Sequence, residues 1–343
     1  MRILLVAVVA QATLAADMAD STVPEQLARW LGPQDWVRDT DGPVLSLGSS
    51  GEFDDTHIFA PCVAQEDSQF RMWFCGSTGR VAERVFQVGL AASRDGRSFV
   101  RFGRNPVFRF GAGTGSVLTP ALLRSPDGSV LRENSRLRMF FSSTDFPARD
   151  GRHGLHESNS RDGVTWTTPS RMLLENVYAP TVLKDGNGYR MWYTDVARDP
   201  WVIRLASGTD GRKWKVTPEP VLVPGQKWER SRLFYPTVLK VDGVYLMWYG
   251  SYWSAQSNKT AIGIAASLDG IQWYRSPHNP VLRPDPVRSW ESHYTTSQSV
   301  IRLRDGSFRI WYASRKSPPF VNKYYAVNTA HWSGPGSSGR RAR

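Results

Sequence analysis

One pattern of apolar and polar positions recurs along the chain. A short apolar segment starting near a proline is followed by a polar turn and then by an aromatic segment. The proline segments begin at Pro61, Pro120, Pro180 and Pro236, with Gln298-Ser299-Val300 as a degenerate fifth. The aromatic segments are Arg71-Met72-Trp73-Phe74, Arg138-Met139-Phe140-Phe141, Arg190-Met191-Trp192-Tyr193, Leu246-Met247-Trp248-Tyr249 and Arg309-Ile310-Trp311-Tyr312. A third apolar run follows each, at 88–92, the weak 154–158, 203–206, 262–266 and 325–327. Four of these lead into Asp-Gly turns at Asp95, Asp162, Asp210 and Asp269, and a fourth segment then carries Phe99, Trp166, Trp214 or Trp273. Short runs rich in β-branched and aromatic residues, bounded by turn formers, predict strands.

The repeating unit is therefore four short antiparallel strands joined by hairpins, which is one blade of a β-propeller. There are five first, second and third strands but only four fourth strands after them. The missing one is predicted at the N-terminal side. Trp36 precedes Pro43-Val44-Leu45 by the same seven residues that separate Phe99 from Pro106 and Trp273 from Pro280. An all-β, five-bladed β-propeller closed by an N-terminal strand follows, since closure removes the edges an open sheet would leave unpaired. Trp73, Trp192, Trp248 and Trp311, in mid-blade strands, are expected between blades.

The ends read differently. Arg2 followed by an apolar run and small residues up to Ala15 predicts a signal peptide over 1–15, and hence a secreted or periplasmic protein. Thr22-Val23-Pro24-Glu25 resembles a capping box and predicts a short N-terminal helix over 24–31 within a lead-in of 16–35. The propeller is expected over 36–332, followed by a disordered basic tail over 333–343. Two cysteines exclude a disulfide scaffold and any Cys-rich metal module; Cys62 and Cys75 are read either as a cross-strand disulfide or as two buried thiols. Beyond the N-terminus no apolar run is long enough to span a bilayer. The formal net charge is +12. It favours an acidic partner, while the dispersed arginines argue against nucleic acid.

In a propeller the first strands line the central channel. The segments entering them share one rim with the loops leaving the second strands. Counting back seven residues from each channel-strand proline position reaches Asp54, Gly113, Leu173, Glu229 and Glu291. Three blades thus place a carboxylate at the same register, with Asp55 and Glu175 close by and Asp145 and Asp195 at second-strand ends. Carboxylates gathered around one opening would repel, pushing some pKa values up and supplying an acid and a base for glycoside hydrolysis. The alternative is a rim neutralised by arginines such as Arg230 and Arg232. His57, Asn176, Tyr178, Arg232, Tyr235, His293 and Tyr294 add the aromatic faces and polar tips that suit a sugar. The Asp-Gly turns fall on the opposite rim and are read as turn formers.

With Met72-Trp73-Phe74 and Met247-Trp248-Tyr249 strands and turns such as Ser160-Arg161-Asp162-Gly163-Val164-Thr165-Trp166, the chain resembles the five-bladed propeller glycoside hydrolases of the family 43 and family 32 group. The resemblance covers roughly residues 36–331. It implies three acids on the channel: a base or nucleophile in the first blade, an orienting carboxylate and a general acid. The resulting expectation is an exported glycoside hydrolase acting on a polysaccharide or oligosaccharide. Asp54 or Asp55 would be the base, Glu229 or Glu291 the acid and Asp195 the orienting group. His57, Tyr178, Arg232, Tyr235 and His293 would bind the carbohydrate, with an acidic glycan favoured. A non-catalytic carbohydrate-binding propeller is the alternative. No cofactor or protein metal site is expected, although the channel leaves room for a calcium ion.

Overall fold

The computed structural model describes residues 22–80, 84–111, 115–145, 153–253, 259–316 and 326–336. The signal-peptide segment and the last residues of the basic tail lie outside the described residues. Five four-stranded antiparallel sheets form the blades. Blade one contains β2 (His57–Glu66), β3 (Gln69–Ser77), β4 (Gln87–Ser93) and β5 (Val100–Arg101). Blade two contains β6 (Gly115–Leu122), β7 (Leu137–Asp145), β8 (Gly154–Ser160) and β9 (Leu174–Glu175). Blade three contains β10 (Val177–Asp185), β11 (Gly188–Asp195), β12 (Val202–Gly208) and β13 (Lys215–Val216). Blade four contains β14 (Leu233–Val241), β15 (Val244–Tyr252), β16 (Thr260–Ser267) and β17 (Tyr274–Arg275). Blade five contains β18 (Tyr294–Arg302), β19 (Phe308–Arg315) and β20 (Ala326–Trp332), with β1 (Leu45–Ser46) as its outer strand. Leu45 pairs with Val327, and Val37 bridges His331. Leu222 and Leu282 bridge Ile203 and Ile262 in the equivalent way. Those pairings put the Trp36–Leu45 stretch where the seven-residue register predicts.

The prolines occupy the middle of the inner strands and not their start. Each inner strand slips register there, between Phe59 and Cys62, Leu118 and Ala121, Tyr178 and Thr181, Phe234 and Thr237, and Thr296 and Ser299. The residue at each slip has positive φ: Ala60, Thr119, Ala179, Tyr235 and Ser297. A bulge leaves one backbone group outside the ladder, so a proline with no N–H is accommodated beside it. In blade five Gln298 replaces the proline, and its amide donates to the carbonyls of Tyr235 and Trp248.

The Asp-Gly turns do more than reverse the chain. Asp162 Oδ1 accepts from the backbone N–H of Val164 and Thr165, and Ser160 Oγ accepts from Gly163. The glycine carbonyl then accepts the indole N–H of the neighbouring blade. Trp73 donates to Gly163, Trp192 to Gly270 and Trp311 to Gly96, at 2.8–2.9 Å. Gly163 has φ +74, and a Cβ there would lie 2.7 Å from the Trp73 ring, so only glycine permits both the turn and the close approach. Trp248 lacks such a turn and donates instead to Gln34 Oε1, from the chain leading into the ring.

The core is divided among the blade interfaces. Each of five apolar clusters spans two neighbouring blades, and four of them contain a buried mid-blade tryptophan among Trp73, Trp192, Trp248 and Trp311. Two details differ from the sequence expectation. The helix is a single turn, α1 (Glu25–Ala28), whose N-cap is Pro24 with no side-chain cap. It is held by Leu27, Trp30 and Leu31 packing against Leu246, Trp248 and Phe308. In blade two, Trp166 makes only an isolated bridge, and the paired outer residues are 174–175. Between them Thr167, Ser170 and Leu173 donate to Asn159, Glu157 and Leu155. Three residues thus run against two of β8, with Pro169 unable to donate, which prevents a regular ladder.

Candidate functional site

The inner strands of all five blades converge on an axial pocket of about 290 Å³. His57 and Phe59 enter it from β2, Leu118 from β6, Tyr178 from β10, Phe234 and Tyr235 from β14, and Tyr294 and Thr296 from β18. The ends of the second strands add Tyr252 and Arg315, and the loops that follow second strands add Arg84, Phe86, His153 and Trp201. Ring contacts run around the mouth: Phe59 to Phe86 at 4.8 Å, His153 to Tyr178 at 4.8 Å, Tyr178 to Tyr235 at 5.2 Å and Phe234 to Tyr252 at 5.4 Å. The Tyr178 and Tyr235 hydroxyls are 2.5 Å apart across the blade three–four junction. Each pocket arginine lies over an aromatic ring: Arg232 over Trp201 at 4.4 Å, Arg315 over Tyr294 at 5.3 Å and Arg84 over Phe86 at 6.0 Å. Arg232 is also gripped bidentately by Asp199 at 2.6 and 2.7 Å. Below the mouth the channel narrows to about 60 Å³. There the Arg124 guanidinium bonds Val63 O, Ser299 Oγ and Val300 O, spanning blades one and five.

The structure brings together four of the five expected sugar-binding residues, His57, Tyr178, Arg232 and Tyr235. His293 stacks behind the pocket on Tyr294, at 5.8 Å and 5° between planes. Phe59, Arg84, Phe86, His153, Trp201, Phe234, Tyr252 and Arg315 were missed by the sequence reading. They were accessible to it: Phe59 and Phe234 lie on first strands, Tyr252 and Arg315 end second strands, and strand alternation assigns the second-to-third-strand loops that carry Arg84, Phe86, His153 and Trp201 to this rim.

The acids are elsewhere, which corrects the expectation that they share one opening. Among the described residues the pocket lining contains no carboxylate. Asp54 pairs with Arg101 Nε at 2.8 Å, Glu229 with Arg275 Nε at 2.9 Å and Glu291 with Arg38 Nε at 2.7 Å. All three acidic side chains are fully buried. Their partners stand two residues past Phe99, Trp273 and Trp36, on or beside the outer edge of each blade. That edge is three strand spacings, about 14 Å, from the inner strand. The neutralising arginines are thus Arg101, Arg275 and Arg38, and not Arg230 or Arg232. In blade three the equivalent positions are Leu173 and Val216, and both pack on one apolar cluster. Blade three thus fills with two apolar side chains the register at which blades one, four and five hold an acid–arginine pair.

The three pairs differ in detail. Glu229 also accepts from Tyr249 Oη at 2.5 Å and from the N–H of Gly225 and Gln226 at 2.7 and 2.9 Å. Glu291 accepts from Tyr312 Oη at 2.6 Å and pairs with Arg288 as well. Burial pushes the Glu291 carboxyl up against the pull of Arg38 and Tyr312. Burial, with some help from the Glu52 charge, also pushes Asp54 up despite Arg101. Asp55 is tied to its own loop, accepting from Gly51 N and Thr56 Oγ1. Asp195 pairs with Arg204 at 2.7 Å and accepts from Ala197 N.

Neither cysteine is in a disulfide; both are buried free thiols. Cys62 and Cys75 are offset across β2 and β3, opposite Trp73 and Phe59 respectively. No group of three or more His, Cys, Asp or Glu side chains among the described residues could hold a metal ion. In the channel a calcium ion would meet the Arg124 charge and no carboxylate among the lining residues. No helix among the described residues is long and apolar enough to cross a membrane.

The fold is shared with five-bladed propellers solved as glycoside hydrolases. The chain superposes on a solved glycoside hydrolase with a TM-score of 0.71 and 18% identity, covering 94% of this chain and 97% of that one. A glycosyl hydrolase from Bacteroides ovatus gives 0.69 at 14% identity, over 88% and 94% of the two chains. A structure from the family 130 mannoside phosphorylases, a family that contains hydrolases of beta-1,2 mannosidic linkages in Candida mannan, gives 0.66 at 14%, over 88% and 94%. At these identities the likeness is one of fold. No family model matches the chain. Two uncharacterized proteins of Mycobacterium tuberculosis are each 30% identical over a 141-residue alignment that covers 38% of this chain. The matched part spans under half, 44%, of those relatives.

Proposed function

We propose that the protein is a carbohydrate-active propeller that seats a sugar residue in the axial pocket and favours a glycan carrying an anionic group. The observation that carries this reading is the convergence of aromatic walls and three ring-stacked arginines at one opening. Aromatic faces suit sugar C–H surfaces, and the hydroxyls of Tyr178 and Tyr235 suit sugar hydroxyls. The pocket is at the small end of the roughly 300–1,000 Å³ range of ligand sites, which matches a single sugar ring. Arginine offers a rigid fork for a carboxylate or phosphate group; Asp199 already fills the fork of Arg232, so Arg84 and Arg315 are the groups an anion would meet. The fold likeness to glycoside hydrolases makes hydrolysis the reaction to assay.

Within this reading, binding without hydrolysis by Asp54, Glu229 or Glu291 is favoured. A glycosidase needs two carboxyls about 5–10 Å apart across its pocket. These acids are instead each committed to an arginine in a separate blade. The residue before the first channel-strand proline, where family 43 enzymes carry an aspartate, is Ala60. The likeness to families 43 and 32 is therefore one of architecture alone. Export is proposed from Arg2 and the apolar run after it.

The test is binding of neutral and uronate-containing oligosaccharides, read by tryptophan fluorescence, beside hydrolysis of the same panel. Wild type should bind the uronates more tightly. Trp201→Ala should weaken binding by about tenfold, the order of one lost aromatic contact. Asp54→Asn should leave axial binding unchanged. If Trp201→Ala binds as wild type does while Asp54→Asn abolishes turnover, the reading is wrong.

A further inference from the structure

Asp54 lacks the hydroxyl cap that the other two buried acids share, and no arginine among the described residues pairs with its second oxygen. In blades four and five a strand-two tyrosine hydroxyl caps the carboxylate, from Tyr249 and Tyr312. In blade one that position is Phe74, which has no hydroxyl. Asp54 Oδ1 consequently has no hydrogen-bond partner, although its side chain is fully buried. Gln87 Oε1, on β4, is likewise buried and unpartnered. Both residues line one cleft of about 480 Å³ on the flank of blade one, separate from the axial pocket in its lining residues.

Two unmet acceptors lining one cleft require a ligand or solvent that donates hydrogen bonds. The exposed Glu52 flanks the first of them. Asp54 Oδ1 and Glu52 Oε2 lie 2.2 and 2.7 Å from one point beside Gly48, which places the two oxygens close together. A metal cation fits poorly, because Arg101 already occupies Asp54 Oδ2 and no third acid joins the group. An anion is disfavoured by the acceptors themselves. A hydroxylated ring would suit this lining: its hydroxyls would donate to Glu52 and, once the lining shifts to uncover them, to the occluded Asp54 and Gln87 oxygens, would accept from Arg109, and would leave its C–H face to Phe102. We infer that this blade-one cleft is a second site, for a neutral sugar residue, distinct from the axial pocket. It goes beyond the proposed function, since a protein that failed to bind sugar axially could still bind here.

The experiment is NMR titration of the full chain with methyl glycosides of glucose, galactose, mannose and xylose, comparing wild type, Gln87→Leu, Arg109→Ala and Trp201→Ala. One glycoside should shift amides of the 51–54 and 101–105 segments. Gln87→Leu should weaken that response by about tenfold, the order of one lost hydrogen bond to a buried acceptor. Arg109→Ala, an exposed position that does not threaten folding, should weaken it severalfold. Trp201→Ala should leave it unchanged while weakening any axial response about tenfold. Absence of any shift in those segments at saturating glycoside overturns the inference. So does an undiminished response in both cleft variants.

Discussion

Replacing Glu229 by alanine tests whether the repeated acids hold blades together or perform chemistry. The side chain is fully buried and meets four donors, Arg275, Tyr249 and two backbone N–H groups. Alanine leaves a largely buried guanidinium and a buried phenol without their acceptor. Removing one partner of a buried ion pair costs about 3–5 kcal/mol. At roughly 2 °C per kcal/mol for a chain of this size, the midpoint should fall by about 6–10 °C. Blade three shows the alternative solution. There the acid and arginine positions hold Leu173 and Val216, and blade one shows Phe74 where blade four has Tyr249. The triple change Glu229→Leu, Arg275→Val and Tyr249→Phe rebuilds blade four in that apolar form, and it should recover most of the loss, ending within about 1–2 kcal/mol of wild type. Thermal and urea unfolding followed by circular dichroism measure both effects. A Glu229→Ala protein as stable as wild type would refute the argument. So would a triple variant as unstable as the summed single changes, or a Glu229→Gln protein that keeps its stability but loses all turnover.

Two further outcomes follow from buried or clamped groups. Burial opposes ionisation of Glu133, but hydrogen bonds from Tyr189, Arg138 and Lys184 outweigh it and hold the carboxyl at about 2, below the usual 4.5. Its contribution to stability is therefore complete above pH 4.5 and lost as the pH falls from there towards 2. Glu133→Gln should flatten the urea midpoint across that window while leaving its slope elsewhere unchanged; an unaltered acid limb would contradict the clamp. Burial pushes both the Cys62 and Cys75 thiols up. Neither should react with a thiol reagent in the native protein, and two equivalents should react in denaturant without reductant. One or no equivalent in denaturant would show a disulfide.

The blade count, the strand order within each blade and the contribution of the Trp36–Leu45 segment to the last sheet were all legible in the chain. A propeller repeats its local code, and five copies reinforce each weak strand signal. The failures were local. Thr22 and Glu25 match a capping pattern, yet packing by Trp30 and Leu31 sets a one-turn helix. The Thr-Thr-Pro-Ser run at 167–170 broke the regular outer strand of blade two.

The site was half legible. Alternation of strand direction assigned His57, Tyr178, Arg232 and Tyr235 to the correct rim, because direction follows from strand count alone. The seven-residue register also found a real equivalence among Asp54, Glu229 and Glu291. What register cannot give is the radial coordinate: whether a side chain before an inner strand turns inward to the axis or outward across its own blade. That choice depends on the partner found there, Arg101, Arg275 or Arg38, and each partner is at least 46 residues away in sequence. The sequence by itself determined the number of sheets, their order and the residue types around each rim, since these depend on local periodicity. Tertiary structure alone decided which charges neutralise one another and which aromatic rings enclose a cavity, since burial and pairing arise only once distant segments meet.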